Sequence, residues 1–126
     1  MFGKRKSKNP QPALSVVVPV HNEEENIERL HQRLLSVLRK IEGETEILYV
    51  DDGSTDRTPG LLAECVAAVR NTETEINVSV IVLRRNYGQS AALAAGFDHA
   101  RGRVVVTLDA DLQNPPEEIP RLLAKL

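Results

Sequence analysis

Four short apolar runs alternate with segments of helical periodicity, and this alternation constrains the fold more than any other feature of the chain. The runs cover residues 14–20, 46–50, 77–83 and the stretch that opens at Val104. They are nearly continuous in Val, Ile and Leu, the pattern of strands buried on both faces. Strand and helix alternating four times imply an α/β fold, a parallel sheet with right-handed crossovers and helices on both faces. Ligands of such sheets sit beyond the carboxyl ends of the strands, where the winding reverses.

The intervening segments carry helix signals. Ile27, Leu30, Leu34, Leu38 and Ile41 recur at spacings of three and four, which gives one buried stripe. Asn22 is the expected cap, with Glu23, Glu24 and Glu25 in the first turn, Glu25 closing a capping box, and Gly43 as the stop. A second helix enters near Asp56 or Thr58 with Pro59 in its first turn and buries Leu62, Cys65, Val66 and Val69. A third, over 90–101, is rich in Ala and closes at Gly102; its small side chains let it lie close to the sheet. Either Pro116 or Pro120 opens the last helix, and the sequence leaves both open.

A chain of 126 residues, 41% hydrophobic, supports one domain with a real core and not two. Its single cysteine, Cys65, excludes an internal disulfide and falls on a core stripe. No apolar run approaches the roughly 18 residues of a membrane span, and the N-terminus has no hydrophobic signal core, so the piece is expected to be soluble. Lys4, Arg5, Lys6 and Lys8 make residues 1–13 a basic arm, expected to be disordered: solubilising, or a contact for anionic lipid. The remainder carries 12 basic against 18 acidic residues. An acidic body without a basic groove or stacking aromatics argues against nucleic acid.

Every polar cluster falls at the end of a strand run. His21-Asn22-Glu23 follows the first, Asp51-Asp52 the second, Arg85 to Ser90 the third, and Asp109 to Gln113 the fourth. In an extended segment Asp109, Asp111 and Gln113 share a face. Two carboxylates and an amide, with no Cys or His nearby, suit Mg2+ or Mn2+ better than zinc. Each cluster also has a plain structural reading. One Asp of the pair caps the next helix while the other is solvated; Asp51 and Asp52 form an Asx turn before Gly53; the glutamates meet a helix dipole. His21 is a turn residue or a group that stacks on or hydrogen-bonds a base. His31 and His99 are expected to be solvated helix positions. Arg84 and Arg85 are surface charge or diphosphate contacts, and Gly88 gives a turn or a close backbone approach.

The strings VVVPVHNEE (16–24), VDDGSTD (50–56), RNYGQ (85–89) and DADLQNPPE (109–117) together resemble the family 2 glycosyltransferases of GT-A fold, and within them the polyprenyl-phosphate glycosyltransferases. The resemblance covers nearly everything from Leu14 onward. It implies a Rossmann-like sheet whose nucleotide-binding half is present here, with residues 14–126 the nucleotide-sugar-binding part of a longer, truncated domain. By the resemblance, Pro19, His21 and Glu23 would line the nucleotide base, although relatives often carry Tyr in place of His21. Asp52 would hydrogen-bond the base, and Gly88 and Gln89 would border the nucleoside. Asp109 and Ala110 would approach the ribose. Asp111 and Gln113, with Asp109, would hold Mg2+ or Mn2+ against the diphosphate, which makes Asp109 and Asp111 the catalytic candidates. The implied donor is a UDP-sugar and the implied acceptor a polyprenyl phosphate, at the cytoplasmic face of a bacterial inner membrane that the longer protein contacts. Transfer would be inverting, and the acceptor side would lie beyond Leu126, so nucleotide binding without turnover is expected.

Other classes fit the order of motifs less well. A non-catalytic receiver-type module built around Mg2+ would carry its acidic pair after the first strand and its target Asp after the third, whereas here the acids follow strands two and four. A sugar nucleotidyltransferase would need a Gly-rich basic loop where His21-Asn22-Glu23-Glu24-Glu25 stands.

Overall fold

The computed structural model describes residues 11–70 and 74–126. Most of the basic arm, residues 1–10, lies outside them. The elements run β1 (Leu14–Val20), α1 (Ile27–Leu38), β2 (Thr45–Asp51), α2 (Thr58–Arg70), β3 (Ile76–Val82), α3 (Gln89–His99) and β4 (Val104–Thr107), then a 3-10 turn (Pro116–Glu118) and α4 (Ile119–Ala124). The described chain is tied down from Pro12, whose carbonyl accepts from the Arg103 amide, and Ala13, whose amide donates to Glu44.

All pairings are parallel and the strand order is β3-β2-β1-β4. The chain steps one way from β1 through β2 to β3, then returns across the sheet to place β4 on the free side of β1. With crossovers of one hand, that reversal puts α3 on the face opposite α1 and α2. The core divides accordingly. Val16, Val18, Val20, Ile47 and Tyr49 pack with the stripes of α1 and α2, while Val17, Leu48 and Val50 meet Ala92 of α3. The central strands are buried on both faces, whereas the edge strand β3 begins as a strict alternation of buried and exposed residues. Gly96 sets the α3 contact: a Cβ there would lie 2.3 Å from Val17 Cγ1, so only a residue without a side chain permits this spacing.

Two local expectations are corrected and one open choice is resolved. Asn22 does not cap α1. The helix begins at Ile27, after a turn closed by the amides of Asn26 and Ile27 on the Glu23 carbonyl, and Asn22 sits at φ 50° with its side chain turned to the next loop. The last helix uses both prolines: Pro116 opens the 3-10 turn and Pro120 occupies the first turn of α4, where its missing N–H costs nothing. His31 is not solvated. It is 3% exposed, between α1 and the sheet, with Nδ1 2.7 Å from the Tyr49 hydroxyl. Cys65 is a core residue as expected, its thiol pushed up to about 11 by burial and then by the charges of Glu28 and Glu64.

Candidate functional site

Because all four strands run the same way, their four following loops meet along one rim. The β1 and β2 loops are laced together there. The Asn22 side-chain carbonyl accepts from the amides of Thr55 (2.7 Å) and Asp56 (3.3 Å), and the Asn22 amide donates to the Ser54 hydroxyl. The Glu23 amide donates to the Thr58 hydroxyl, and the Arg57 amide to Glu24. Partial desolvation works to raise the Asp56 carboxyl. Hydrogen bonds from the Thr58 hydroxyl and amide and from the Glu24 amide outweigh it and hold the group below the ordinary carboxylate range.

The two adjacent aspartates after β2 have separate tasks. Asp51 accepts the Ser54 amide, three residues on, at 3.0 Å and so closes the bend at Gly53, one residue wider than an Asx turn. Asp52, 4% exposed, turns the other way and accepts the amides of Tyr87 (2.7 Å) and Gly88 (2.9 Å) from the β3–α3 loop. That loop lies directly on Gly53, at φ 68°, where a Cβ would stand 2.4 Å from Arg85 C and Asn86 N. His21 Nδ1 is 2.8 Å from the Asp52 carbonyl oxygen, which can only accept, so Nδ1 donates, and in the neutral ring this leaves Nε2 as the acceptor. The Asn22 and Asn86 side-chain nitrogens stand 3.4 Å from that Nε2.

Beyond β4 the alternation of faces persists for four residues after the ladder ends. Leu108 and Ala110 point into the core, Asp109 is half-buried and Asp111 exposed. Leu112 then adopts φ 66° and the run is broken, so Gln113 does not continue the face. The Gln113 amide instead donates to Asp111 Oδ1 at 3.1 Å. Gln89, opening α3, donates from Nε2 to Asp109 Oδ1 at 3.1 Å. Pro116 and Ile119 are buried, and Arg33 of α1 grips Glu117 through two hydrogen bonds, which fixes the segment after the aspartates.

These loops enclose a cavity of about 340 Å3 lined by Pro19, Val20, His21, Glu23, Asp52, Asn86, Gly88, Gln89, Asp109, Ala110 and Asp111. It sits at the β1/β4 boundary, the point where the winding reverses. Every residue singled out from the sequence for the nucleotide lines it, as do both aspartates of the 109–111 pair. Gln113 does not, and neither do Arg84 and Arg85, which border a groove on the far side of Gly53. Sequence reasoning gave no role to Val20 or to Asn86, although Asn86 stands within the polar cluster of residues 85–90. A larger hollow of about 790 Å3 follows the β3 edge, but its one carboxylate, Glu46, is already hydrogen-bonded by Ser15 and the Arg101 amide.

Among the described residues, the rim cavity is lined by four carboxylates and by no Lys or Arg. Glu23 and Asp52 are engaged by Asn26 and by the Tyr87 and Gly88 amides, and Asp109 by Gln89, leaving Asp111 the most open. Among the described residues, no three His, Cys, Asp or Glu side chains cluster as a ready-made metal cage. Two hard carboxylates suit a cation that keeps most of its shell from water and from a bound ligand, the habit of Mg2+.

Among known families, the one described as Glycosyl transferase family 2 matches residues 15–126. The undecaprenyl-phosphate 4-deoxy-4-formamido-L-arabinose transferase of Pectobacterium atrosepticum is 53% identical over 110 residues, 87% of this chain and 32% of that protein. The chain therefore spans about a third of the length of such relatives. S. aureus TarS 1-349, solved with UDP-GlcNAc, superposes with a TM-score of 0.66 at 29% identity, over 89% of this chain and 30% of that one. The mannosyltransferase PcManGT of Pyrobaculum calidifontis, solved with GDP-Man and Mn2+, gives a TM-score of 0.70 at 25% identity, over 93% of this chain and 32% of that one.

Proposed function

The chain belongs to glycosyl transferase family 2, and from that premise we propose that its rim cavity binds the nucleotide of a UDP-sugar whose sugar passes to a polyprenyl phosphate, undecaprenyl phosphate in a bacterium. The observation that carries this reading is the convergence of Pro19, His21, Glu23, Asp52, Gly88, Gln89, Asp109 and Ala110, with Asp111, on one cavity at the reversal of the sheet. Its 340 Å3 is at the lower end of the range for small-ligand sites.

The roles follow from position and charge. Pro19, His21 and Asn86 form the wall for the base, with His21 held by the Asp52 carbonyl. Gly88 gives the nucleoside a side-chain-free approach. Gln89 orients Asp109, and the Gln113 amide orients Asp111, so both carboxylates are held by hydrogen bonds from this chain before any ligand arrives. Asp109 and Asp111 are the residues that would hold Mg2+ or Mn2+, with Gln113 acting behind Asp111 through its backbone. Held there, such an ion would neutralise charge on the departing diphosphate.

A lipid phosphate is already an anion near neutral pH, so an inverting single displacement on the sugar needs no strong general base from the protein. No helix among the described residues is long and apolar enough to cross a membrane. The proposed site of transfer to a lipid-borne acceptor is the cytoplasmic face of the inner membrane.

Calorimetry tests the reading. UDP is expected to bind more tightly than GDP, binding is expected to strengthen with Mn2+, and Asp111→Ala is expected to remove that strengthening. Equal affinity for UDP and GDP, or an unchanged Mn2+ effect in Asp111→Ala, would sink it.

A further inference from the structure

Asp52 is expected to touch the base, yet both of its carboxylate oxygens already serve the protein. Oδ1 accepts the Tyr87 amide at 2.7 Å and Oδ2 the Gly88 amide at 2.9 Å. Charge-assisted bonds of this kind are the strong ones, and here they are shielded, because Asp52 is 4% exposed. The other side-chain ties of the loop they hold are longer or local: the Gly88 amide also meets Asn86 Oδ1 at 3.2 Å, the Asn86 side-chain nitrogen stands 3.4 Å from His21 Nε2, and the Arg85 guanidinium lies 5.6 Å from the centre of the Tyr87 ring. Arg84, Arg85, Asn86 and Tyr87 are all exposed, and Gly88 is at φ 105°, a conformation with no local preference to maintain it. On its other side the loop rests on the backbone of Gly53, closer than any Cβ would allow.

We infer that Asp52 is a positioning residue for the nucleoside wall: its carboxylate shapes the 84–88 loop, and thereby places Asn86, Gly88 and the start of α3 around the rim cavity. Three consequences separate this from a role as a ligand contact alone. The carboxylate acts before nucleotide arrives. Its loss is felt at two named amides 35 and 36 residues away in the chain. A substitution that lifts the loop without touching the carboxylate reproduces the effect. Gly53→Ala is that substitution, since its Cβ meets backbone atoms of Arg85 and Asn86 that cannot swing aside.

The inference rests on the nucleotide reading for its functional meaning but not for its first test. In the ligand-free chain, amide hydrogen exchange at Tyr87 and Gly88 is expected to speed up tenfold or more in Asp52→Ala, with the β1 and β2 core amides unchanged. Asp52→Asn, which keeps one acceptor oxygen and turns an NH2 toward the other amide, is expected to fall between the wild type and Ala. Gly53→Ala is expected to deprotect the same amides and to weaken UDP binding tenfold or more with Asp52 intact; it also serves if Asp52→Ala does not fold. Unchanged exchange at Tyr87 and Gly88 in Asp52→Ala, or full UDP affinity in Gly53→Ala alongside deprotected amides, overturns the inference. A wild type that binds no UDP removes the proposed function instead, and leaves the exchange result to stand or fall by itself.

Discussion

Acid should destabilise this fold through one histidine. His31 is enclosed between α1 and the sheet, and its Nε2 is buried with no hydrogen-bond partner among the described residues. Protonation would put a charged donor there with nothing to accept from it. Desolvation lowers the imidazole from 6.5 to about 4. The unfolded chain therefore binds the proton more readily than the folded one, and between these two values stability must fall as pH falls. At about 1.4 kcal/mol per pH unit, the full shift is worth up to roughly 3 kcal/mol. That loss begins near pH 6.5 and is complete near pH 4, below which His31 adds nothing further. Other groups titrate in acid too: the hydrogen bond from Arg33, for instance, holds Glu117 below the ordinary carboxylate range. The comparison is therefore with His31→Asn, which keeps an amide near the Tyr49 hydroxyl and cannot titrate. Urea melts at steps from pH 7.5 to 4 should show the wild type losing about 3 kcal/mol more than the variant across the window. Parallel pH curves for the two proteins would refute the reasoning, since they would mean that His31 is neutral or charged alike in both states.

Gly96→Ala should destabilise by about 1–3 kcal/mol, because its Cβ enters the Val17 side chain in the α3 contact; a thermal melt reads the loss, and an unchanged midpoint would mean that α3 can lift freely. Glu46→Ala should cost about 1–3 kcal/mol, leaving the Ser15 hydroxyl and the Arg101 amide without the carboxylate they now share, at 2.5 Å and 2.7 Å. Urea unfolding measures it, and wild-type stability would show that water replaces the carboxylate there.

Strand order could not be read from the runs themselves, but most of what limits it could. Val-rich segments separated by an amphipathic stripe around Leu30 and Leu34 leave a parallel α/β sheet as the natural arrangement, and the polar residues after each run then have to share a rim. Local pattern suffices for this because burial period and turn chemistry are properties of neighbours in sequence. The tasks of individual polar side chains were another matter. Asn22 has the chemistry of a helix cap and serves as a cross-loop tie to Thr55 and Asp56. Asp51 and Asp52 are identical in sequence terms, and one closes a turn while the other takes amides from a loop 35 residues on. Gln113 keeps period with Asp109 and Asp111 on paper, and the left-handed Leu112 removes it from their face.

What the chain determined alone was therefore the layered α/β plan and the rim on which its polar residues gather. Which oxygen meets which amide, and which histidine is buried, depended on partners brought near only when the sheet closes. A hydrogen bond has two ends, and for Asp52 and His31 the second end lies far along the chain.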